Sequence, residues 1–248
     1  MIPDYNRYII SSREKYSIAI LLLIIMLFIS YIFYDSVLPV VLYPLLFKMV
    51  LKVMEKVLIN KRKNILLDQF KDLLYTISSC IATGRSMREA LVDSKKQLST
   101  IYTGEAIIIK ELEHINNLLK NENMKDTEVL EDFAVRTGLE DIRDFAEIYN
   151  ICKKTGGNLI IALNKGAEII GDKITIEREI KMITREKKFQ GNIITAMPII
   201  IILFLRWSAP DYIGVMYQTI GGKIIMTLAV MVIVAAYFII ERISKIEV

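Results

Sequence analysis

Strongly apolar segments occupy both ends of the chain and enclose a polar stretch that runs from about residue 64 to residue 190. Residues 17–34 contain no charged side chain, and a helix of about 18 residues is long enough to cross the hydrocarbon core of a bilayer. Hydrophobic residues make up 53% of the 248 residues and charged residues 24%, so the two classes must be segregated along the sequence. This segregation predicts a membrane protein with one sizeable helical region outside the bilayer.

The apolar ends predict four membrane-spanning helices, two on each side of the polar stretch. Their bounds are residues 17–34, 37–53, 193–207 and 224–240. The second is the least regular, because it contains two prolines and two lysines, and an interfacial helix is the alternative. That alternative would leave the basic residues at the N-terminus on the opposite side from those that follow residue 55. A transmembrane hairpin is therefore preferred.

Basic residues flank the polar stretch and both termini, whereas the loops inside the two hairpins carry only the acidic residues Asp35 and Asp211. The positive-inside rule then places the polar stretch and both termini in the cytoplasm. The predicted fold class is all-α, with two N-terminal and two C-terminal transmembrane helices that flank a cytoplasmic antiparallel helical bundle. The predicted parts are an N-terminus (1–16), a hairpin (17–54), the bundle (55–190), a second hairpin (191–241) and a C-terminus (242–248).

Two glycine-containing turns join predicted helices inside the bundle. Gly84 ends one helix, and Ser86 with the glutamate three residues later forms a capping box for the next. At the second turn, Gly156 and Gly157 break the chain and Asn158 is a good N-cap for a helix of about thirty residues that leads to the third span. Local chemistry alone predicts that both are structural turns.

Basic residues beside the two turns support a second interpretation, in which the turns shape a docking surface for an acidic partner. Arg85 and Arg88 lie beside the first turn, and Lys153 and Lys154 lie beside the second. The same pattern is also typical of a solvated helix face. The net charge of +4 lies mostly beside the apolar segments, which favours a lipid bilayer as the partner and argues against nucleic acid.

The sequence lacks the common phosphate-binding, zinc-protease and serine-hydrolase motifs, so we predict no catalytic, cofactor-binding or metal-binding residue. The single histidine, His114, follows Glu111 and Glu113 on a charged helix, and we predict that it is solvated. Cys80 and Cys152 fall at apolar helix positions, where free cysteines behave as small hydrophobic residues. The prediction is a non-enzymatic protein.

Three segments resemble a known family. They are FKDLLYTISSCIATGRSMREAL at residues 70–91, KTGGNLIIALNKGAEIIGD at 154–172 and ERISKIEV at 241–248. Together with the order of two spans, one helical domain and two spans, they resemble the type II secretion system F family, and within it the TadB-like platform proteins of tight-adherence (Flp) pilus assembly. The Ile- and Lys-rich composition departs from that family without disturbing the pattern.

The resemblance implies a non-enzymatic, multi-pass platform in the cytoplasmic (inner) membrane. Such a platform sits above a hexameric secretion ATPase and carries its motion to pilin subunits. It also implies assembly with a related platform subunit or with a second copy. On this hypothesis Arg85, Arg88, Lys153 and Lys154 are candidates to face the ATPase. Lys48 and Arg206, which lie in or near spans, are candidates for the region that faces the membrane and the pilin. The alternatives are a membrane receptor or scaffold, and a small transporter.

Overall fold

The computed structural model describes Tyr5 and residues 10–36, 38–121 and 124–244. Within these residues the regular secondary structure is entirely helical, in agreement with the all-α part of the predicted fold class. The α-helices are α1 (Ser12–Tyr34), α2 (Tyr43–Ala82), α3 (Met87–Leu98), α4 (Ile107–Asn121), α5 (Asp126–Thr137), α6 (Glu140–Thr155), α7 (Leu159–Ser208), α8 (Pro210–Gln218) and α9 (Ile220–Ser244), and a 3-10 helix (Leu38–Leu42) precedes α2. The predicted terminal segments 1–16 and 242–248 lie partly outside the described residues.

The chain divides into two compact units. The first contains Met1–Ile9 and Met54–Ile176, and the second contains Ile10–Val53 and Glu177–Val248. Both boundaries fall inside long helices, so α2 and α7 each contribute residues to both units.

The first unit is a helical bundle with one hydrophobic core. The apolar face of α2 supplies Phe70, whose ring packs edge-on against Phe145 of α6 at 5.6 Å between centroids, and tilted against Phe133 of α5 at 6.0 Å. Side chains from α3, α4 and α7 complete the same core. Helix α2 therefore contributes a face that is surrounded by the other helices of the bundle. Phe70, Leu73, Leu74 and Ile77 recur at helical spacing in the sequence and are all buried on this face.

Helices α2 and α7 run antiparallel within the first unit. A Cβ atom on Gly166 of α7 would lie 3.6 Å from Leu74 of α2, and one on Gly171 would lie 3.6 Å from Lys71. The residue numbers of the contacting positions decrease along α2 as they increase along α7, so the two helices are antiparallel. Helix α6 packs on the same part of α7, since Lys173 forms an ion pair with Asp141 at 2.9 Å.

The second unit contains most of the apolar surface. Three helices in the described part of the chain are long and apolar enough to cross a membrane, and their bounds are Ser12–Tyr34, Leu159–Ser208 and Ile220–Ile240. Between 0% and 22% of the most apolar window of each helix is buried inside the protein. Apolar side chains that are left exposed in this way are suited to a lipid environment, so the length and composition of these helices are consistent with a membrane protein.

Two expectations about these segments differ from the structure. The predicted second span, residues 37–53, is not among the three candidate helices: a 3-10 helix occupies Leu38–Leu42, and α2 begins only at Tyr43. The eleven or so α-helical residues up to position 53 cover about 16 Å, and they include Lys48 and a second lysine. The predicted loop at residues 208–222 contains helix α8, which proline at its first position favours.

Candidate functional site

The two glycine turns lie at the same end of the antiparallel α2 and α7 pair. Gly84 lies two residues after Ala82, the last residue of α2, and Gly156 lies three residues before Leu159, the first residue of α7. Both glycines adopt the left-handed conformation, with φ values of 87° and 72°. A side chain is unfavourable in this conformation, which explains why glycine ends α2 and α6.

Side-chain caps begin the helix that follows each turn. The hydroxyl of Ser86 accepts a hydrogen bond from the backbone N–H of Glu89, and the Glu89 carboxylate accepts one from the backbone N–H of Ser86 at 2.9 Å. This bonding lowers the pKa of Glu89. At the second turn, the Asn158 side chain accepts from the N–H of Ile161 at 3.2 Å. Gly157 leads into this cap, and its N–H donates to the carbonyl of Cys152 at 3.1 Å.

Three of the four basic residues beside the turns are engaged inside the bundle. Arg85 forms an ion pair with Asp93, and Arg88 donates to the carbonyl of Leu119 at the end of α4. Lys153 forms an ion pair with Asp126, which is the first residue of α5. These three side chains are exposed to solvent, and each also contacts a neighbouring helix of the bundle.

Lys154 differs from these three, because it is exposed in the last turn of α6. Among the described residues it forms no ion pair or side-chain hydrogen bond with a neighbouring helix. It lies at the shared end of α2 and α7 that both turns occupy. Of the four predicted residues, it is the cation that is most available to a partner at this end.

Lys48 and Arg206 occupy different places in the second unit. Arg206 pairs with Asp35 and donates to the carbonyl of Tyr31 at 2.6 Å, while its guanidinium lies 3.9 Å from the centroid of the Tyr31 ring and 5.3 Å from that of Tyr217. The guanidinium of Arg206 is therefore held between two aromatic rings and a carboxylate. Lys48 is exposed on α2 and takes no part in this cluster.

A buried polar cluster in the first unit was missed by the sequence analysis. Glu111 of α4 is 0% exposed and accepts hydrogen bonds from Arg136 at 2.8 and 3.2 Å and from the hydroxyl of Tyr5 at 2.5 Å. The sequence analysis made no prediction for Glu111, which lies on the core face of α4 with Ile108 and Ile115. That spacing was the available signal.

Electrostatics in this cluster raise the pKa values of two of its members, Tyr5 and Arg136. Burial raises the pKa of Tyr5 well above its ordinary value, and the neighbouring Glu111 charge raises it further, so the phenol keeps its proton and donates. Burial works against the charge of Arg136, but its bonds to Asp132 and Glu111 raise its pKa overall. The cluster joins Tyr5, near the start of the chain, to α4 and α5.

The described part of the chain contains no group of three or more histidine, cysteine, aspartate or glutamate residues arranged to hold a metal ion. Cys80 is buried, Cys152 is half-buried, and both are free thiols. No family model matches the chain, and no curated protein or solved structure is similar enough to be matched to it. The resemblance to the type II secretion system F family therefore depends on the quoted segments and on the order of spans.

Proposed function

We propose that this protein is a non-enzymatic platform of the cytoplasmic membrane, of the TadB-like type, which couples a hexameric secretion ATPase to the assembly of pilin subunits into a fibre. The observation that carries the proposal is helix α7. It begins in the bundle core, where Leu163, Ala167 and Ile170 are buried, and continues without a break into the apolar residues that precede Ser208. A single helix of 50 residues is a stiff connection between a partner-binding domain and a membrane segment.

The Tyr5 contact supports the two-plus-two arrangement of spans. Because Tyr5 bonds to Glu111 in the bundle, we infer that Tyr5 and the bundle share one side of the membrane. The chain must then cross the bilayer an even number of times between them. With α1 as the first crossing, residues 38–53 supply the return, even though their α-helical part is short. Labelling of single cysteines at positions 13 and 140 by an impermeant reagent tests this: both should react from the cytoplasmic side alone.

Transmission through α7 is tested by two insertions of equal length after Met182, which is 70% exposed and therefore tolerates a change. A seven-residue helical insertion adds two turns and keeps the face of the helix, whereas a seven-residue Gly/Ser insertion makes the connection flexible. We expect fibre assembly to survive the helical insertion and to fail with the flexible one, at equal protein levels. Assembly that is unaffected by the Gly/Ser insertion would contradict rigid transmission.

The site of ATPase binding is tested by photo-crosslinking in living cells. Ala82 and Lys154 are exposed at the end of the bundle that carries the two turns. Glu140 is the control, because it lies away from the two turns. It follows Gly138, whose carbonyl accepts a hydrogen bond from Lys63, and Lys63 lies near the start of the bundle part of α2. We expect capture of a secretion ATPase from positions 82 and 154 and much less from 140. Capture of only a signalling protein would favour a receptor, and substrate flux into vesicles without an ATPase would favour a transporter.

A further inference from the structure

A pocket in the second unit lies at the C-terminal end of helix α1. It has a volume of about 420 Å³ and is lined by Leu27, Ser30, Tyr31, Asp35 and Ser36. Its members lie along one helix and its end, so the lining passes from the apolar Leu27 to the carboxylate of Asp35 over about 12 Å of helical rise. A ligand that fits this lining has an apolar part and a charged part.

Two observations put the pocket at the depth of the lipid headgroups when α1 crosses a bilayer. Residues 17–34 contain no charged side chain, and Asp35 is the first charge that follows them. Tyr31 and Trp207 are exposed beside it, and tyrosine and tryptophan are enriched at the membrane–water interface. The exposed apolar side chains of α1, such as Leu27 and Phe28, then face acyl chains. The molecule that covers this pocket is therefore a phospholipid.

Opposite charges meet at the polar end of the pocket. Asp35 and Arg206 form an ion pair, and their side chains remain 50% and 21% exposed. Arg206 lies at the rim rather than in the lining, since it donates to the carbonyl of Tyr31 and its guanidinium lies over the ring of the same residue. In the described part of the chain these contacts use Oδ1 of Asp35 and some of the N–H groups of Arg206. The other carboxylate oxygen and the remaining N–H groups can bind a ligand.

The backbone fixes the Asp35 carboxylate in place. Asp35 has φ 46° and ψ 31°, and it is the only non-glycine residue with a positive φ in the described part of the chain. Glycine is the usual residue at such a helix end, because a side chain is unfavourable in this conformation. The carboxylate is held by this turn and by the ion pair with Arg206, so it is already in position before a ligand binds.

We propose that this pocket binds phosphatidylethanolamine, with its ammonium at Asp35, its phosphate at Arg206 and an acyl chain along Leu27. The two protein charges cancel, so an anionic lipid would bring an unbalanced charge beside Asp35. A zwitterionic headgroup instead places each of its charges against the opposite charge of the protein. The ethanolamine ammonium donates hydrogen bonds to a carboxylate, whereas choline has no N–H group to donate. This inference goes beyond the platform function, and it depends only on the membrane location of α1.

The test measures lipid binding to the full-length protein in detergent by native mass spectrometry. The probes are phosphatidylethanolamine, its N-methyl and N,N-dimethyl forms, phosphatidylcholine and phosphatidylglycerol. We expect affinity to fall with each methyl group, by about tenfold from phosphatidylethanolamine to phosphatidylcholine, because each methyl removes a charged hydrogen-bond donor. Phosphatidylglycerol, which has no ammonium, should bind weakly. Equal affinity for the ethanolamine and choline lipids would overturn the proposal, and so would equal affinity for phosphatidylglycerol, which would show attraction to Arg206 alone.

A pair of double variants locates the site. Asp35→Asn with Arg206→Gln removes both charges and leaves neither one alone, so the fold is retained and the preference for phosphatidylethanolamine should disappear. Asp211→Asn with Arg242→Gln makes the same change at exposed positions of the second unit and should keep the preference. A preference that survives in the first variant would place the lipid elsewhere and overturn the site.

An alkaline wash of the membranes separates this result from the membrane location itself. The wild type and both variants should stay in the membrane fraction. Release of the wild type would overturn the membrane location and the lipid site together, whereas loss of the lipid preference with retention in the membrane concerns the site alone.

Discussion

The hydroxyl of Tyr5 donates a hydrogen bond of 2.5 Å to Oε1 of Glu111, although 106 residues separate the two in the chain. The exposed fractions are 1% for Tyr5 and 0% for Glu111, so this bond is closed to water. The guanidinium of Arg62 lies 5.0 Å from the centroid of the Tyr5 ring, and this cation–π contact holds the ring from the α2 side. A residue that precedes the first apolar helix is thus part of the bundle core.

Tyr5→Phe should destabilise the bundle, because it removes a hydrogen bond to Glu111 and leaves the ring in place. Among the described residues, the Tyr5 hydroxyl is the only neutral group that donates a hydrogen bond to Glu111. A hydrogen bond to a charged group contributes about 1.5–3 kcal/mol, so we expect a clear fall in the thermal unfolding temperature of the purified protein. Tyr75→Phe is the matched control, since Tyr75 is 47% exposed on α2. If the two variants unfolded at the same temperature, the Tyr5 contact would carry no stability.

Arg136→Met should be more damaging than the loss of an exposed ion pair. It removes the cation that pairs with fully buried Glu111, and an uncompensated buried charge costs about 3–5 kcal/mol. Adding Glu111→Gln to this variant should restore part of the lost stability, because the stranded charge disappears. Lys181→Met, which breaks the exposed pair with Glu177, should change stability by less than about 0.5 kcal/mol. Thermal unfolding of the four proteins measures these differences.

The helices of the bundle could be predicted from local signals. Apolar residues at helical spacing indicated the buried face of α2, and glycine followed by a capping residue marked the ends of α2 and α6. These signals are local, because a helix cap or an amphipathic face depends on residues within a few positions of one another. Asp126 shows the limit of local signals, because it is the first residue of α5 but its pairing with Lys153 on α6 could not be predicted from the sequence.

Features that depend on distant residues could not be read from the sequence. Tyr5 carries no local sign that it reaches Glu111, and nothing near Arg206 indicates that it pairs with Asp35, 171 positions away. The irregular start of α2 is a further case. Composition predicted a span there, but the 3-10 turn at Leu38–Leu42 is a choice between similar backbone conformations that hydrophobicity does not distinguish.

Gly84→Ala and Gly156→Ala should each destabilise the protein by about 1 kcal/mol. No atom lies within 4 Å of the position that a Cβ would take at either glycine, so the cost comes from the left-handed backbone conformation rather than from a clash. Gly104→Ala tests this reasoning, because that position is equally open but its φ is not in the left-handed range. There we expect no loss and a small gain from reduced freedom of the unfolded chain. Equal losses at all three positions would contradict the conformational explanation.

Asp126 should make stability depend on pH in the acid range. Burial alone would raise the pKa of this carboxyl, but hydrogen bonds from Lys153 and Tyr149, with the charge of Lys153, lower it below its ordinary value. A carboxyl whose pKa is lower in the folded state stabilises above its unfolded pKa of about 3.9, and this contribution is lost as the pH falls through the folded pKa.

Asp126→Asn should therefore unfold at a lower temperature than the wild type at neutral pH, and the difference should narrow as the pH falls below about 4. Asp144→Asn is the control, because Asp144 is exposed on α6 and should leave the unfolding temperature nearly unchanged at neutral pH. Thermal unfolding from pH 7 to about pH 3 measures both. A difference for Asp126→Asn that stayed constant over this range would mean that its bonds do not depend on ionisation, so the contact would act through packing and neutral hydrogen bonding alone.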